Sequence, residues 1–512
     1  MELPRLAYTA SKRLRQTVRF GTLQLGRSGG DGDFAATVNL SARLYPSLSQ
    51  RRPRERDSSH EKATALFAKN CLALVDGEDF LYDGKSVGKV TPGEKTILSV
   101  GSKILIFPDK LYYDTAADLF GPMAAHVEAK SSQVTWSSDR VKITGQGDLT
   151  KIFLSGQGIK ISGSSRGKNN ATLVVREVTA DTLVFQADRF ETGGESNTVH
   201  FEREIPDFLC ACESANRLWG ADQEGTIWAS ALGDPLTFYA YEGLSTDSFA
   251  VAVGTDGAFT GCSAYSSNVL FFKEGVLHKV MGAVPSEYRV YDYTIPGVQA
   301  GSEKSLVTIN ETLYYKGTDG VYAFTGATPT LITENFGTRR FVEASAGTDG
   351  SGYYISMRDA ATETWGLYVY DTKTGIWLQE DDIHVVDFAV ADGAMHFLGA
   401  DGVISKVVEE GGDEPFSWQA EFFPLDDTTY GKRGYGKLWL RLELEQGAWV
   451  KAELREDDGP WRHAGTWSGG RRQSVTAHLF PGRCESFRVR LSGWGRCLVK
   501  GMVREFDVGS ED

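Results

Sequence analysis

A chain of 512 residues with 41% hydrophobic and 11% aromatic side chains can bury several cores, and its length allows about three domains. Fifty-seven glycines against 15 prolines match many short strands joined by tight turns and exclude a disordered chain. The net charge of −14 is uneven: residues 1–56 hold 11 basic and 4 acidic side chains, which leaves the rest near −21 and excludes a body that grips phosphate backbones.

From the N-terminus, Arg5, Lys12, Arg13 and Arg15 are not followed by an apolar h-region, so no signal peptide is expected. No run of about 18 apolar residues occurs, so no membrane span is expected either. Residues 1–60 read as an extended basic arm. Gly29, Gly30 and Gly32 break any helix, Phe34-Ala-Ala-Thr-Val-Asn-Leu40 offers one short strand, and Pro46 and Pro53 keep their predecessors extended. Leu44, Tyr45 and Leu48 sit between charges, as in a segment that lies across another surface. Arg43, Tyr45, Arg51, Arg52 and Arg54 are therefore the candidate assembly residues, and a chain lacking residues 1–56 is expected to fold.

Beyond Glu61 short alternating runs follow one another: Cys71-Leu-Ala-Leu-Val75, Phe80-Leu-Tyr82, Lys103-Ile-Leu-Ile-Phe107 and Lys110-Leu-Tyr-Tyr113, with Asp76-Gly77 and Asp83-Gly84 as hairpin turns. A degenerate repeat appears later. Its turns are Gly254-Thr-Asp-Gly257, Gly317-Thr-Asp-Gly320, Gly347-Thr-Asp-Gly350 and Gly399-Ala-Asp-Gly402. Strands open on glycine at Gly225, Gly275, Gly320, Gly366 and Gly402, at spacings of 36 to 50 residues. That is the period of a four-stranded blade, which cannot bury both faces alone and must stack on neighbours.

The fold expected is all-β: a β-propeller of six or seven blades over residues 61–123 and 204–412, with a small β-barrel of about five strands inserted at 124–203. A C-terminal β-sandwich is expected over 413–512, where Leu438, Leu440, Leu442 and Leu444 alternate on one face. An insertion between repeats lands on one face of the ring, where partners bind.

No residue set reads as a catalytic, cofactor or metal site. Each Asp-Gly turn offers one or two carboxylates where a calcium loop needs several. Cys210-Ala-Cys212 has no second pair to complete a zinc set and reads as buried packing; Cys484 and Cys497 read as reduced thiols. Six cysteines are too few for a disulfide framework, so folding in a reducing cytoplasm is expected. The eight histidines are scattered without His-x-x-x-His or Glu-x-x-His spacing. Gly84-Lys-Ser-Val-Gly88 and Gly163-Ser-Ser-Arg-Gly167 fit the serine-hydrolase elbow in letters but lack the helix that must follow. Gly431-Lys-Arg-Gly-Tyr-Gly-Lys437 has phosphate-loop spacing, but Leu438 stands where the magnesium-binding hydroxyl belongs. Glu242, Asp247 and Asp292 are acids a propeller glycosidase could use, without a pair being singled out.

The arm Asn39-Leu-Ser-Ala-Arg-Leu-Tyr-Pro-Ser-Leu-Ser-Gln-Arg-Arg-Pro-Arg54 resembles the start of tail nozzle, tail-hub or head-to-tail stabilisation proteins of tailed bacteriophages. Gly158-Ile-Lys-Ile-Ser-Gly163 and Asn169-Asn-Ala-Thr-Leu173 look like their inserted barrel. Phe480-Pro-Gly-Arg-Cys-Glu-Ser-Phe-Arg-Val-Arg-Leu-Ser-Gly-Trp-Gly495, Arg504-Glu-Phe506 and Gly509-Ser510 are similar to their C-terminus. The resemblance implies a non-enzymatic virion protein, assembled in the host cytoplasm, that repeats six-fold around the tail axis. It would bind the head-tail adaptor and other tail proteins and let genomic DNA pass through its lumen without specific binding. Competing readings are a host-binding adhesin whose sandwich binds glycans through Trp449, Trp461, Trp467 and Trp494, and a propeller glycosidase.

Overall fold

The computed structural model describes residues 12–425, 432–469, 472–479 and 482–508. Arg5, Gly431, Phe480, Pro481, Gly509 and Ser510, which entered the motifs above, lie outside the described residues. The described residues form 48 strands and six three-residue 3-10 turns, so the all-β expectation holds. Among the described residues no helix is long and apolar enough to cross a membrane. The chain divides into two compact units: residues 61–318 with 324–329, and residues 1–60 with 319–323 and 330–512.

In the first unit four antiparallel meanders of four strands follow one another. They begin at Ala63–Lys69, Thr96–Val100, Cys210–Ser214 and Gly261–Tyr265, and their first strands pack side by side. A hairpin of Val307–Ile309 with Thr312–Lys316 comes after them. Local chemistry sets the turns. Asp83 and Gly84 both take positive φ, +51° and +70°, the geometry of a two-residue hairpin turn.

Between the second and third meanders, residues 125–203 build a separate body. A four-stranded sheet (Ala125–Ala129, Val199–Arg203, Gly158–Ser162, Thr172–Val174) and a five-stranded sheet share one core, with Trp136, Phe153, Ile159 and Phe201 buried. Nine short strands form it where about five were expected, because runs such as Val134–Trp136 are too short to show a period in sequence.

The second unit holds two more meanders. One runs from Phe341–Thr348 to Ile376–Asp381, and Asp349, Asp359 and Asp371 each cap one of its hairpins by accepting backbone N–H bonds of 2.8–3.2 Å. The other joins Val385–Ala391, Ala394–Gly399 and Val403–Val407 to a fourth strand, Arg54–Ser59, from the far end of the sequence. Val321–Phe324 pairs with Thr330–Leu331, and these two strands follow Val307–Ile309 and Thr312–Lys316 in one four-stranded sheet order.

The sandwich of this unit differs from expectation in its membership. Its six-stranded sheet contains Lys12–Thr17, Leu40–Ser41 and Leu48–Gln50 beside Cys497–Val508, Arg433–Leu444 and Arg472–His478. Its five-stranded sheet opens with Phe34–Val38, paired to Ser417–Phe422. The four expected leucines, 438 to 444, are all buried in the shared core, joined by Phe20, Phe34, Leu40 and Leu48 from the N-terminal segment. That segment is not a separable arm: from residue 12 onward its strands complete sheets whose other strands lie hundreds of residues away. The cause is edge pairing, since an open strand edge leaves a row of N–H and C=O groups that another strand can satisfy.

Full burial of Phe20, Leu23, Phe34, Leu40 and Leu48 contributes roughly 1.5–3 kcal/mol each. Together that rivals the ~5–15 kcal/mol that holds a whole domain folded. A chain beginning at residue 57 should therefore lose the second unit's cooperative unfolding, and residues 416–512 alone should not fold. Limited proteolysis and circular dichroism of both fragments check this; co-expressing residues 1–60 with residues 57–512 should restore protection.

Candidate functional site

The candidate assembly residues converge in the second unit as a ladder of ion pairs. Extended backbone from Leu48 to Ser59 points successive arginines at acids on strands and turns that follow it in space but not in sequence. Arg43 Nη1 lies 2.6 Å from Glu409. Arg52 reaches Asp349 at 3.1 Å and Glu409 at 3.2 Å. Arg51 pairs with Asp413 at 2.6 Å, donates to Asn39 at 2.7 Å and lies 4.2 Å above the Phe416 ring. Arg54 donates to Glu380 at 2.6 Å and to Asp381, with its guanidinium over Phe397.

Arg51 and Arg54 are buried, Arg52 is largely covered, and Arg43 and Tyr45 are exposed. The set of five candidate assembly residues thus divides. Arg51, Arg52 and Arg54 hold the segment to its own unit, which leaves Arg43 and Tyr45, with exposed Leu44 between them, facing solvent. Sequence spacing had no means of separating these roles, because the partners Asp349, Glu380, Asp381, Glu409 and Asp413 lie about 300 to 370 residues away.

Electrostatics follow from burial. Burial lowers the Arg54 pKa, but Asp381 and Glu380 outweigh it and hold the group above its ordinary value, so it stays charged. Glu380 is pushed up by burial, against the pull of Arg54 and Arg51. Burial also raises Asp413 and Asp349. The Arg51 guanidinium and Arg54 N–H reverse that at Asp413, and the Gly352 and Ser351 N–H groups and Arg52 reverse it at Asp349, so both sit below the usual carboxylate range. Glu409 is lowered through its bond to Arg43.

A cavity of about 750 Å³ opens beside the ladder, lined by Arg43, Arg51, Glu409, Glu414 and Arg496. Arg496 holds Glu414 through two bonds of 2.8 and 2.7 Å, so opposite charges on its wall are already matched. Other candidates from the sequence have structural partners. Asp247 accepts N–H bonds from Glu242, Gly243 and Leu244; Glu242 pairs with Arg176 at 2.9 Å, and Asp292 with buried His278 at 2.6 Å. Ser86 donates to Asp79 from within a strand, and Ser164 and Ser165 both donate to Glu195, so neither elbow match has the strand-to-helix turn that exposes a nucleophile. Residues 433–437 of the phosphate-loop match lie in the strand Arg433–Leu444. All six cysteines are free thiols, and burial pushes Cys484 up to about 11.

Among the four sandwich tryptophans, Trp449 and Trp494 face each other across paired strands and are 36% and 41% exposed. Trp461 lies under Arg490 at 4.3 Å, and Trp467 packs against the core.

No family model matches the chain, and no curated protein is similar to it in sequence. Similar solved structures include the computationally designed Ika8 protein, 12% identical, with a TM-score of 0.35 over 70% of this chain and 99% of that one. The N-terminal domain of Nup159 is 7% identical, with a TM-score of 0.32 over 76% and 99%. The phage phi92 endosialidase is 12% identical, with a TM-score of 0.28 over 81% and 78%.

Replacing Arg54 by alanine leaves buried Glu380 and half-buried Asp381 without their cation and should cost about 3–5 kcal/mol in urea unfolding. Arg43→Ala, at an exposed pair, should cost less than about 1 kcal/mol. Asp349, Asp413 and Glu409 are depressed, so their stabilisation is complete above the ordinary carboxylate pKa and is lost as the pH falls through their folded values. Raised Glu380 acts with the opposite sign but is outnumbered. The urea midpoint should therefore drop between about pH 5 and pH 3.

Proposed function

We propose that this chain is a structural protein of a tailed-phage virion: a β-propeller of six or seven blades, with the body at 125–203 as its insert, that assembles as a ring of six copies in the tail. It acts there as nozzle or hub below the portal and adaptor. One observation carries the reading. The segment 39–54 that resembles the tail proteins pairs with the strand Cys497–Val508, Leu48 with Val499 and Ser49 with Leu498, and that strand carries Arg504-Glu-Phe506, part of the second likeness. Two likenesses far apart in sequence thus meet in one sheet. The four-stranded meanders supply the blades.

A ring of one chain needs heterologous contacts that close on rotation. Leu44 and Tyr45, with Arg43, are the exposed part of the resembling segment and the contact point with a neighbour. The net charge of −14 suits a lumen that DNA passes without binding.

Electron microscopy and native mass spectrometry of the purified full chain should find closed six-fold rings. A Leu44→Asp, Tyr45→Ala variant should fold with unchanged stability yet fail to form them and fail to enter particles. Normal incorporation of that variant, or absence of the chain from purified virions, would end the proposal.

The adhesin reading keeps one favourable observation, the exposed Trp449–Trp494 pair, since paired aromatic faces are a ready platform for sugar rings. Glycan-array binding by the full chain, lost in Trp449→Ala and Trp494→Ala, would move the function to host recognition. Turnover of chromogenic glycosides would do the same for a glycosidase.

A further inference from the structure

The body at 125–203 carries a constellation that the proposed function does not use. The chain enters it on Ala125–Ala129 and leaves it on Val199–Arg203, and these two strands pair antiparallel. Their side chains alternate strictly. Val127, Ala129, Val199 and Phe201 point into the core, while His126, Glu128, His200 and Glu202 share the outer face. The register sets His126 opposite Glu202 and Glu128 opposite His200. Two His-x-Glu triplets, 74 residues apart in sequence, therefore face each other head to tail.

The geometry is close to that of a ligand set. Donor atoms of His126, Glu128 and His200 all lie within 4.8 Å of one another, and the two imidazole rings stack with centroids 5.4 Å apart. A four-coordinate zinc holds nitrogen at about 2.0–2.1 Å and carboxylate oxygen at about 2.0–2.2 Å, which places its donors about 3.4 Å apart. Closing the remaining ångström needs only side-chain rotation, for which exposed Glu128 has room. Glu202 bonds His126 Nδ1 at 3.1 Å. That is the carboxylate–imidazole contact that fixes the ring and its tautomer at metal centres. Lys160, opposite Glu202 in the sheet, is drawn to Glu204 at 2.6 Å.

We infer that His126, Glu128 and His200 bind one divalent transition-metal ion of the zinc type, with Glu202 as a positioning residue. Two imidazoles with one carboxylate select such an ion over calcium or magnesium, which require shells of oxygen. Water completes the coordination at the exposed side. The ion cross-links the strand that opens the inserted body to the strand that closes it, so its role is to fasten the base of the insert. This inference is independent of the ring, since it rests on one strand pair within one unit.

Titration of the full, metal-free chain with zinc chloride by calorimetry should show one equivalent bound. His126→Ala, His200→Ala and Glu128→Gln should each weaken it by about ten-fold or more, and Glu202→Gln by about ten-fold. The variant His60→Ala, His463→Ala, with both changes in the other unit, should leave it unchanged. Cobalt(II) should give visible d–d bands in the parent chain and none in the His126→Ala, His200→Ala double variant. Zinc should slow amide exchange at 125–129 and 199–203 in the parent only. Zinc binding that survives the double variant overturns the assignment, as does failure of the parent to bind zinc at about 100 µM.

Discussion

Pairing of the N-terminal segment with strands from the end of the chain is the constraint on which the second unit depends. Cys497–Val508 receives Lys12–Thr17 and Leu48–Gln50 along one edge and Arg433–Leu444 along the other. A few residues on, Arg54–Ser59 closes the meander that ends in Val403–Val407. Each pairing satisfies a strand edge that would otherwise be exposed, and those made by the N-terminal strands span hundreds of residues of sequence. The entropy of closing such loops grows only slowly with their length, so local hydrogen bonds and buried apolar side chains suffice to hold them.

The charge asymmetry of the chain takes on a different meaning in this arrangement. A basic N-terminus ahead of an acidic body looks like a tail waiting for an acidic partner. Instead Arg51, Arg52 and Arg54 meet Asp413, Asp349, Glu409, Glu380 and Asp381 of their own unit, and buried Arg504 meets Asp31 at 3.2 Å. Burying a guanidinium is costly unless it is paired and hydrogen-bonded, and here stacking over Phe416 and Phe397 adds to the pairing. Such pairs select one register for the segment, because a one-residue slip would turn the arginines away from their acids.

The body at 125–203 has its own core and both its chain ends on one strand pair. Glu195 ties its loops together by accepting from Trp136 Nε1 at 3.0 Å and from Ser164 and Ser165. Both chain connections of the module run through that strand pair, so a fastening there acts on both, while Arg176 also ties the module to Glu242.

Whatever depends on neighbours along the chain is legible in the amino-acid sequence. The alternation of Leu438 to Leu444, the Asp-Gly turns, the four-stranded period and the lack of helical periodicity all follow from backbone preferences over a few residues, and they specify an all-β chain with its strands nearly in place. What depends on which strand lies beside which is not legible there. Nothing near Arg54 announces Glu380, nothing near Leu48 announces Val499, and His126 finds His200 only through the pairing of two strands 74 residues apart. The physical reason is that strand periodicity says which face of a residue is wet or dry, while its partner is chosen by hydrogen-bond register and packing across the finished fold. The amino-acid sequence therefore settled the class of structure, and tertiary pairing alone decided that the basic arm belongs inside its own unit and that two histidines share a face.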